Sequence, residues 1–229
     1  MRKMALVLLL LAVFSLKTHA QEIQEYSDPY QLMSTVVQRA RENDKMKSEL
    51  LTFGRTDTVQ ELDQTGKPKP TKPNFPETIP QGKGRKNEPL KLDINRVLDT
   101  SYYFRFDENK VQMLKGELVY VIHFWPKNRL ANGENGYYKA ANRASGTIYI
   151  NRDYLYVRRL EAVMNEPFNV YGGFGRLRTA ELIFEQSLRT DLKSIVVIDF
   201  FTAIVRYRLL FSEKHENHTF HYDNYQLAN

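Results

Sequence analysis

Three histidines at three-residue intervals, His215, His218 and His221 in HENHTFH, are the residues whose types most suggest chemistry. Imidazoles spaced in this way hold zinc when a helix gathers them on one side. The flanking residues favour strand or turn, and on a strand His215 and His221 point one way while His218 points the other. No shared metal is expected there. His123 sits inside the apolar run GELVYVIHFW and reads as a hydrogen-bonded core residue rather than a base. Asp199 interrupts the most apolar stretch, SIVVIDFFTAIVRYRLLF, where an ion pair with Arg158, Arg159 or Arg206 would offset the cost of its burial. Tyr171-Gly-Gly-Phe-Gly175 has the glycine density of a phosphate loop, but no Gly-Lys-Ser or Gly-Lys-Thr and no helix start follows it, so a turn is expected. Neither Gly-x-Ser-x-Gly nor His-Glu-x-x-His occurs, and the acidic residues of the later half are scattered. The chain has no cysteine, which removes thiolate metal sites, disulfides, cysteine nucleophiles and a lipidated amino-terminal cysteine. The expectation is a protein that is not an enzyme and needs neither cofactor nor metal.

The elements that would position these residues are few in kind. Asp28-Pro29 is a cap residue followed by proline at the first helical position. Leu32, Val36, Val37 and Ala40 then recur at helical spacing, predicting a helix from about Pro29 to Asn43 with continuation toward Leu50. Everything after it reads as strand and turn. LLTFGRTDTVQELDQTGK predicts a strand running into a turn at Gln64-Thr65-Gly66. Residues 66–89 contain six prolines and six basic residues, the composition of a solvated Pro/Lys-rich loop or irregular edge. A docking surface for an acidic partner or anionic headgroups is the sharper alternative for that segment. From SYYFRF onward, short β-type runs follow one another with only turns between, the pattern of an antiparallel meander.

Both parities of the longest runs are apolar. In GELVYVIHFW one side carries Leu118, Tyr120, Ile122 and Phe124, and the other Val119, Val121, His123 and Trp125. An antiparallel sheet with one wet side should alternate cleanly. A single short helix cannot cover both faces of so wide a sheet. The fold class expected is therefore mainly β with an N-terminal α-helix (α+β): a curved antiparallel sheet forming an open, unclosed β-barrel covered by the helix. Such a barrel is either filled by its own side chains or holds one small guest.

The first twenty residues set the compartment. Arg2 and Lys3 precede the apolar run Met4–Leu16, and Thr18-His19-Ala20 offers small residues for cleavage before Gln21. That is the pattern of a signal peptide, so residues 21–229 are expected to be one exported domain. Losing Arg2, Lys3 and Lys17 lowers the net charge from +6 to +3. So small a charge does not point to nucleic acid, and export argues against it.

The hairpin GTIYINRDYLYVRRLEA, residues 146–162, resembles one common in the LolA/LolB/RseB-like superfamily of exported bacterial proteins. Gly146, Ile148, Tyr149 and Ile150 match its first strand, and Val157, Arg159 and Glu161 its second; Asn151 stands where an aspartate is usual. Gly116-Glu-Leu-Val-Tyr-Val-Ile ahead of Pro126 is similar to the preceding strand of that group, while the final strands lack its Trp-x-Pro element. The resemblance implies a LolA-like half-barrel in the periplasm, its concave side apolar and lidded by the helix. It implies a lipid, or the acyl chain of a lipoprotein, as partner, with a periplasmic or membrane protein as a further one. The residues expected to line the space are Phe104, Tyr120, Ile122, Phe124, Ile148, Ile150, Val157, Phe201 and Val205. Which parity faces inward is left open by the sequence. The alternative is a periplasmic interaction or regulatory module of RseB type whose barrel is self-filled and whose 66–89 loop docks a partner.

Overall fold

A computed structural model describes residues 25–70, 77–79, 102–127, 143–164, 166–170 and 174–228. Helix α1 spans Pro29–Leu50 and thus takes in the continuation past Asn43. Its start is built as the sequence suggests, with Pro29 in the first turn and the Asp28 carboxylate accepting from the Tyr30 N–H at 2.9 Å. Its end is abrupt: the Leu51 N–H still donates to the Lys47 carbonyl, but Leu51 is already extended and opens the first strand. Leu32, Met33, Val36 and Val37 form its buried stripe. Replacing Asp28 with alanine should cost about 1 kcal/mol, read as a lower urea midpoint at unchanged slope.

The strands in chain order are β1 (Leu51–Glu61), β2 (Glu77–Ile79), β3 (Tyr102–Leu114), β4 (Glu117–Pro126), β5 (Ala144–Asn151), β6 (Val157–Met164), β7 (Phe168–Val170), β8 (Gly175–Arg189), β9 (Ile195–Leu209) and β10 (Ser212–Leu227). All pair antiparallel in one sheet of order β2-β1-β10-β9-β8-β6-β5-β4-β3, with β7 flanking β8. The strands at the ends of that order, β2 and β3, do not pair with each other, so the sheet stays open. Register shifts at Thr52/Gly54, Phe106/Val111, Tyr149/Ile150, Leu177/Thr179 and Glu185/Gln186 interrupt the ladders. Bulges of this kind bend strands and raise local twist, which is how a sheet this wide curls around one helix.

Several local expectations are revised. The first β-type run continues further than the short runs expected: β3 passes unbroken through Asp107–Lys110, with Asp107 accepting from the Asn109 N–H at 2.8 Å at the irregularity. The Pro/Lys-rich segment 66–89 begins as ordered structure. Asp63 closes the turn on Thr65 and Lys67, Pro68 bridges Leu62, and Glu77–Ile79 forms β2 against β1. Proline-flanked β2 lies at the sheet edge, where a missing donor is tolerated. A 3-10 turn at Thr190–Leu192 joins β8 to β9, in a region where no helical residues were expected. The residues expected to form a signal peptide, most of the 66–89 segment, residues 128–142 and Tyr171–Gly173 lie outside the described residues.

Candidate ligand-binding face

Helix α1 crosses the concave side of the sheet diagonally. Near its start Tyr30 stands edge-on to Phe104 at 5.5 Å, and Tyr26, just upstream, stands edge-on to Tyr120 at 6.2 Å. Near its end Asn43 donates to the Val196 carbonyl and accepts from the Val196 N–H, both at 2.8 Å. The side-chain amide thereby adds a rung to the edge of β9. The main core unites Leu32, Met33, Val36 and Val37 with Phe104, Tyr120, Ile122, Phe124, Ile148, Ile150, Leu160, Phe184 and Phe201. The inward parity of β4 is therefore Tyr120, Ile122 and Phe124.

Strand register aligns the inward residues into rows across the sheet. One row runs Phe106, Ile122, Ile148, Leu160, Phe184, Phe201, Phe220. The next runs Phe104, Phe124, Gly146, Ala162, Leu182, Ala203, His218. The first is almost wholly aromatic or branched. The second narrows to Gly146, Ala162 and Ala203 in its middle, so the curved face is shallow on one side and thick on the other.

Seven of the nine expected lining residues, Phe104, Tyr120, Ile122, Phe124, Ile148, Ile150 and Phe201, lie in this core, and Val157 packs against it half-buried. Val205 is half-buried between Ala180 and Glu216. Cover differs along the rows. Ile122, Ile148 and Ile150 are 0 % exposed beneath the helix. A side chain that no water-sized sphere can touch borders no void of that size. Toward β8–β10 the rows carry Phe184 and Phe201, still buried, beside Leu182, Ala203 and Phe220, which are only half-buried.

The outer side holds charge that sequence reasoning located only in part. Arg158 is the hub: Nε donates to Glu117 at 3.0 Å, and Nη1 donates to the Gln186 carbonyl at 2.6 Å and approaches Asp199 at 3.6 Å. The ion pair expected for Asp199 is thus made by the first of the three arginines considered, with Ser187 donating to the same carboxylate at 2.6 Å. Glu185 was not singled out, yet its side chain is only 2 % exposed and it receives Lys115 at 2.6 Å together with Arg159. Alternation along ELIFEQSL could have flagged it, since Glu185 falls within a run flanked by apolar residues.

His123 does not enter the core. It lies on the outer parity, its side chain 36 % exposed, between Asp107 at 2.8 Å and Thr147 at 3.1 Å. Carboxylate, imidazole and hydroxyl in that order resemble a nucleophile with its base and orienting group. Here, however, Thr147 sits in a strand laddered on both sides, so the surrounding amides have no freedom to stabilise an oxyanion. The chain of bonds ties β3, β4 and β5, and the pairing with His123 holds the Asp107 carboxyl below the ordinary aspartate range. His215, His218 and His221 all lie on β10; His215 bonds the Asp63 carbonyl and His218 the Glu216 carboxylate. Trp125 also faces outward, beside Tyr103 and Arg105, and so does not border the concave face.

No helix among the described residues is long and apolar enough to cross a membrane. No family profile matches the sequence and no curated protein matches it. In shape the chain is similar to two solved structures. One is a domain from Vibrio parahaemolyticus named as an outer-membrane lipoprotein-sorting protein, at 8 % identity and a TM-score of 0.37 over 86 % of this chain and 94 % of that one. The other is a LolA superfamily protein from Nitrosomonas europaea, at 9 % identity and a TM-score of 0.34 over 85 % of this chain and 94 % of that one.

Proposed function

We propose that this chain is an exported, non-enzymatic binding protein of the periplasm. It shelters an apolar ligand, a lipid or the acyl chain of a lipoprotein, on the concave face beside helix α1. The observation that carries this reading is the change of cover along one set of rows. Inward residues that are sealed beneath α1 on β4 and β5 continue as half-buried Leu182, Ala203 and Phe220 on β8–β10. Gly146, Ala162 and Ala203 keep the middle of that face low. Each methylene moved out of water there contributes about 0.8 kcal/mol, so partial enclosure of one acyl chain is enough for useful affinity.

A second reading has its own support. The tightly sealed Tyr120, Ile122, Ile148 and Ile150 make the β4–β5 half self-filled, as a regulatory module acting through protein contacts would require. Native mass spectrometry on delipidated protein mixed with lipid extract separates the two. The binding reading expects adducts of lipid mass that disappear in Ala203→Trp, a substitution that fills the low row, while the melting temperature stays within a few degrees. A bare peak with every lipid class, alongside a protein captured through the intact domain, would establish the module instead.

A further inference from the structure

The turn between β9 and β10 breaks two rules of hairpin stability at once. Its two residues are Leu210 and Phe211, and Leu210 is held at φ 53, in the left-handed region. Tight hairpin turns reserve such positions for glycine, asparagine or aspartate, because a larger side chain is strained there. Among the described residues no burial compensates. Leu210 is 59 % and Phe211 fully exposed, and neighbouring Leu209 and Phe174 are exposed as well. Phe174 belongs to this tip, since its carbonyl accepts from the Leu210 N–H at 2.9 Å.

Charge makes the second exception. Arg176 on β8 and Arg208 on β9 are directly opposite each other and both exposed. Like charges so placed destabilise a sheet. Among the described residues neither has an ion-pair partner; Glu213, in register with Arg208, pairs with Arg178 instead. Residues 174–178 and 206–214 together hold five basic side chains and one acidic one. Four large apolar groups at a protruding tip, rimmed by unneutralised arginines, cost stability in water and would be relieved at a surface with an oily interior and anionic boundary. A contiguous exposed apolar patch with a polar rim marks a contact site, and the cationic rim selects its sign.

We infer that the β9–β10 tip, Leu209–Phe211 with Phe174, Arg176 and Arg208, docks the protein on an anionic lipid bilayer by seating its apolar side chains among the headgroups. The proposal is independent of whether the concave face takes a guest. Helix α1 meets β9 at Val196, and the tip lies thirteen or more residues further along that strand, about 45 Å of extended chain. The Asn43 end of the helical cover is therefore remote from the docked tip.

Co-sedimentation of the exported chain, from Gln21 onward, with phosphatidylglycerol-containing vesicles tests this. Binding is expected at low salt, with loss on raising the salt or on using phosphatidylcholine alone. Phe211→Glu, and separately the double change Arg176→Ser with Arg208→Ser, should each weaken it roughly tenfold or more without lowering the melting temperature. Because the chain lacks cysteine, Phe211→Cys carries a single polarity-sensitive dye; its emission should shift blue on these vesicles, and the same dye at Glu108→Cys should not shift. Equal vesicle binding by Phe211→Glu and the unaltered chain overturns the proposal. So does a homodimer that Phe211→Glu dissolves, which would make the tip a contact between copies.

Discussion

Replacing Glu185 with alanine should lower the unfolding free energy by about 3–5 kcal/mol, the cost of removing one partner from a buried ion-pair network. The side chain is 2 % exposed, and its carboxylate is the meeting point of Lys115, Arg159 and, at 3.7 Å, Arg158. Its loss leaves the Arg158 guanidinium, itself almost buried, with Glu117, Asp199 and the Gln186 carbonyl. The exposed pair Arg189–Asp191 is the internal comparison. Its geometry is good, at 2.6 Å, but both groups stand in solvent, and Asp191→Ala should cost well under 1 kcal/mol. Urea unfolding at neutral pH reads both variants as a shift of midpoint. A loss below about 1 kcal/mol for Glu185→Ala would mean that water already reaches the network.

The same carboxylate gives a signed pH dependence. Burial opposes its ionisation, but hydrogen bonds and charge from Lys115 and Arg159 outweigh burial and hold its pKa below the ordinary glutamate value. A group whose folded pKa is depressed contributes stability above its unfolded pKa and loses it as pH falls through the folded one. Acid unfolding should accordingly set in below about pH 4, with Asp107 contributing in the same direction through its bond to His123. In Glu185→Ala the acid limb should be shallower.

Local chemistry explains which parts of this fold could be read from the chain. Asp28-Pro29 announces the helix, and the Ile148–Tyr149–Ile150 alternation announces a strand, because each signal depends on neighbours three or four residues away. Pairing of β1 with β10 has no such signal: Leu51 meets Leu227 across the whole chain, and only the finished sheet decides it. The β9–β10 turn was hidden for a different reason. Leu209-Leu210-Phe211 carries none of the residues that favour turns, so the run reads as continuous strand. At Asn151 the departure from the usual aspartate has a visible cause. Its amide donates to Glu117 at 2.5 Å while its oxygen accepts from the Asp153 and Tyr154 N–H groups. An aspartate could cap the turn equally well but would face Glu117 with a second negative charge. For the residues expected to line the concave face, hydrophobicity left both parities open, and packing against α1 shows which one joins the core.

Gly146→Ala should cost about 3 kcal/mol, the upper part of the range for forcing extra atoms into a packed site. Gly146 opens the hairpin motif and sits between β4 and β6, paired with Phe124 on one side and Ala162 on the other. A Cβ there would lie 1.9 Å from the Glu161 carbonyl oxygen and 2.9 Å from the Ala162 Cα. Both are backbone atoms of a laddered strand and cannot rotate aside, so β5 and β6 must separate or the local bend must open. Gly54 offers the contrast: its nearest conflict, 2.5 Å away, is the Asp223 Oδ1 of a side chain that can turn toward solvent. Gly54→Ala should therefore cost less than half as much in the same urea measurement. Because Gly146 lies in the low row of the concave face, opening the bend would also reshape the surface proposed to hold an acyl chain. Lipid adducts should fall in Gly146→Ala, measured where the variant is still fully folded, and persist in Gly54→Ala. Equal stability losses for the two would show that the close approach at Gly146 is not what the curvature of the sheet depends on.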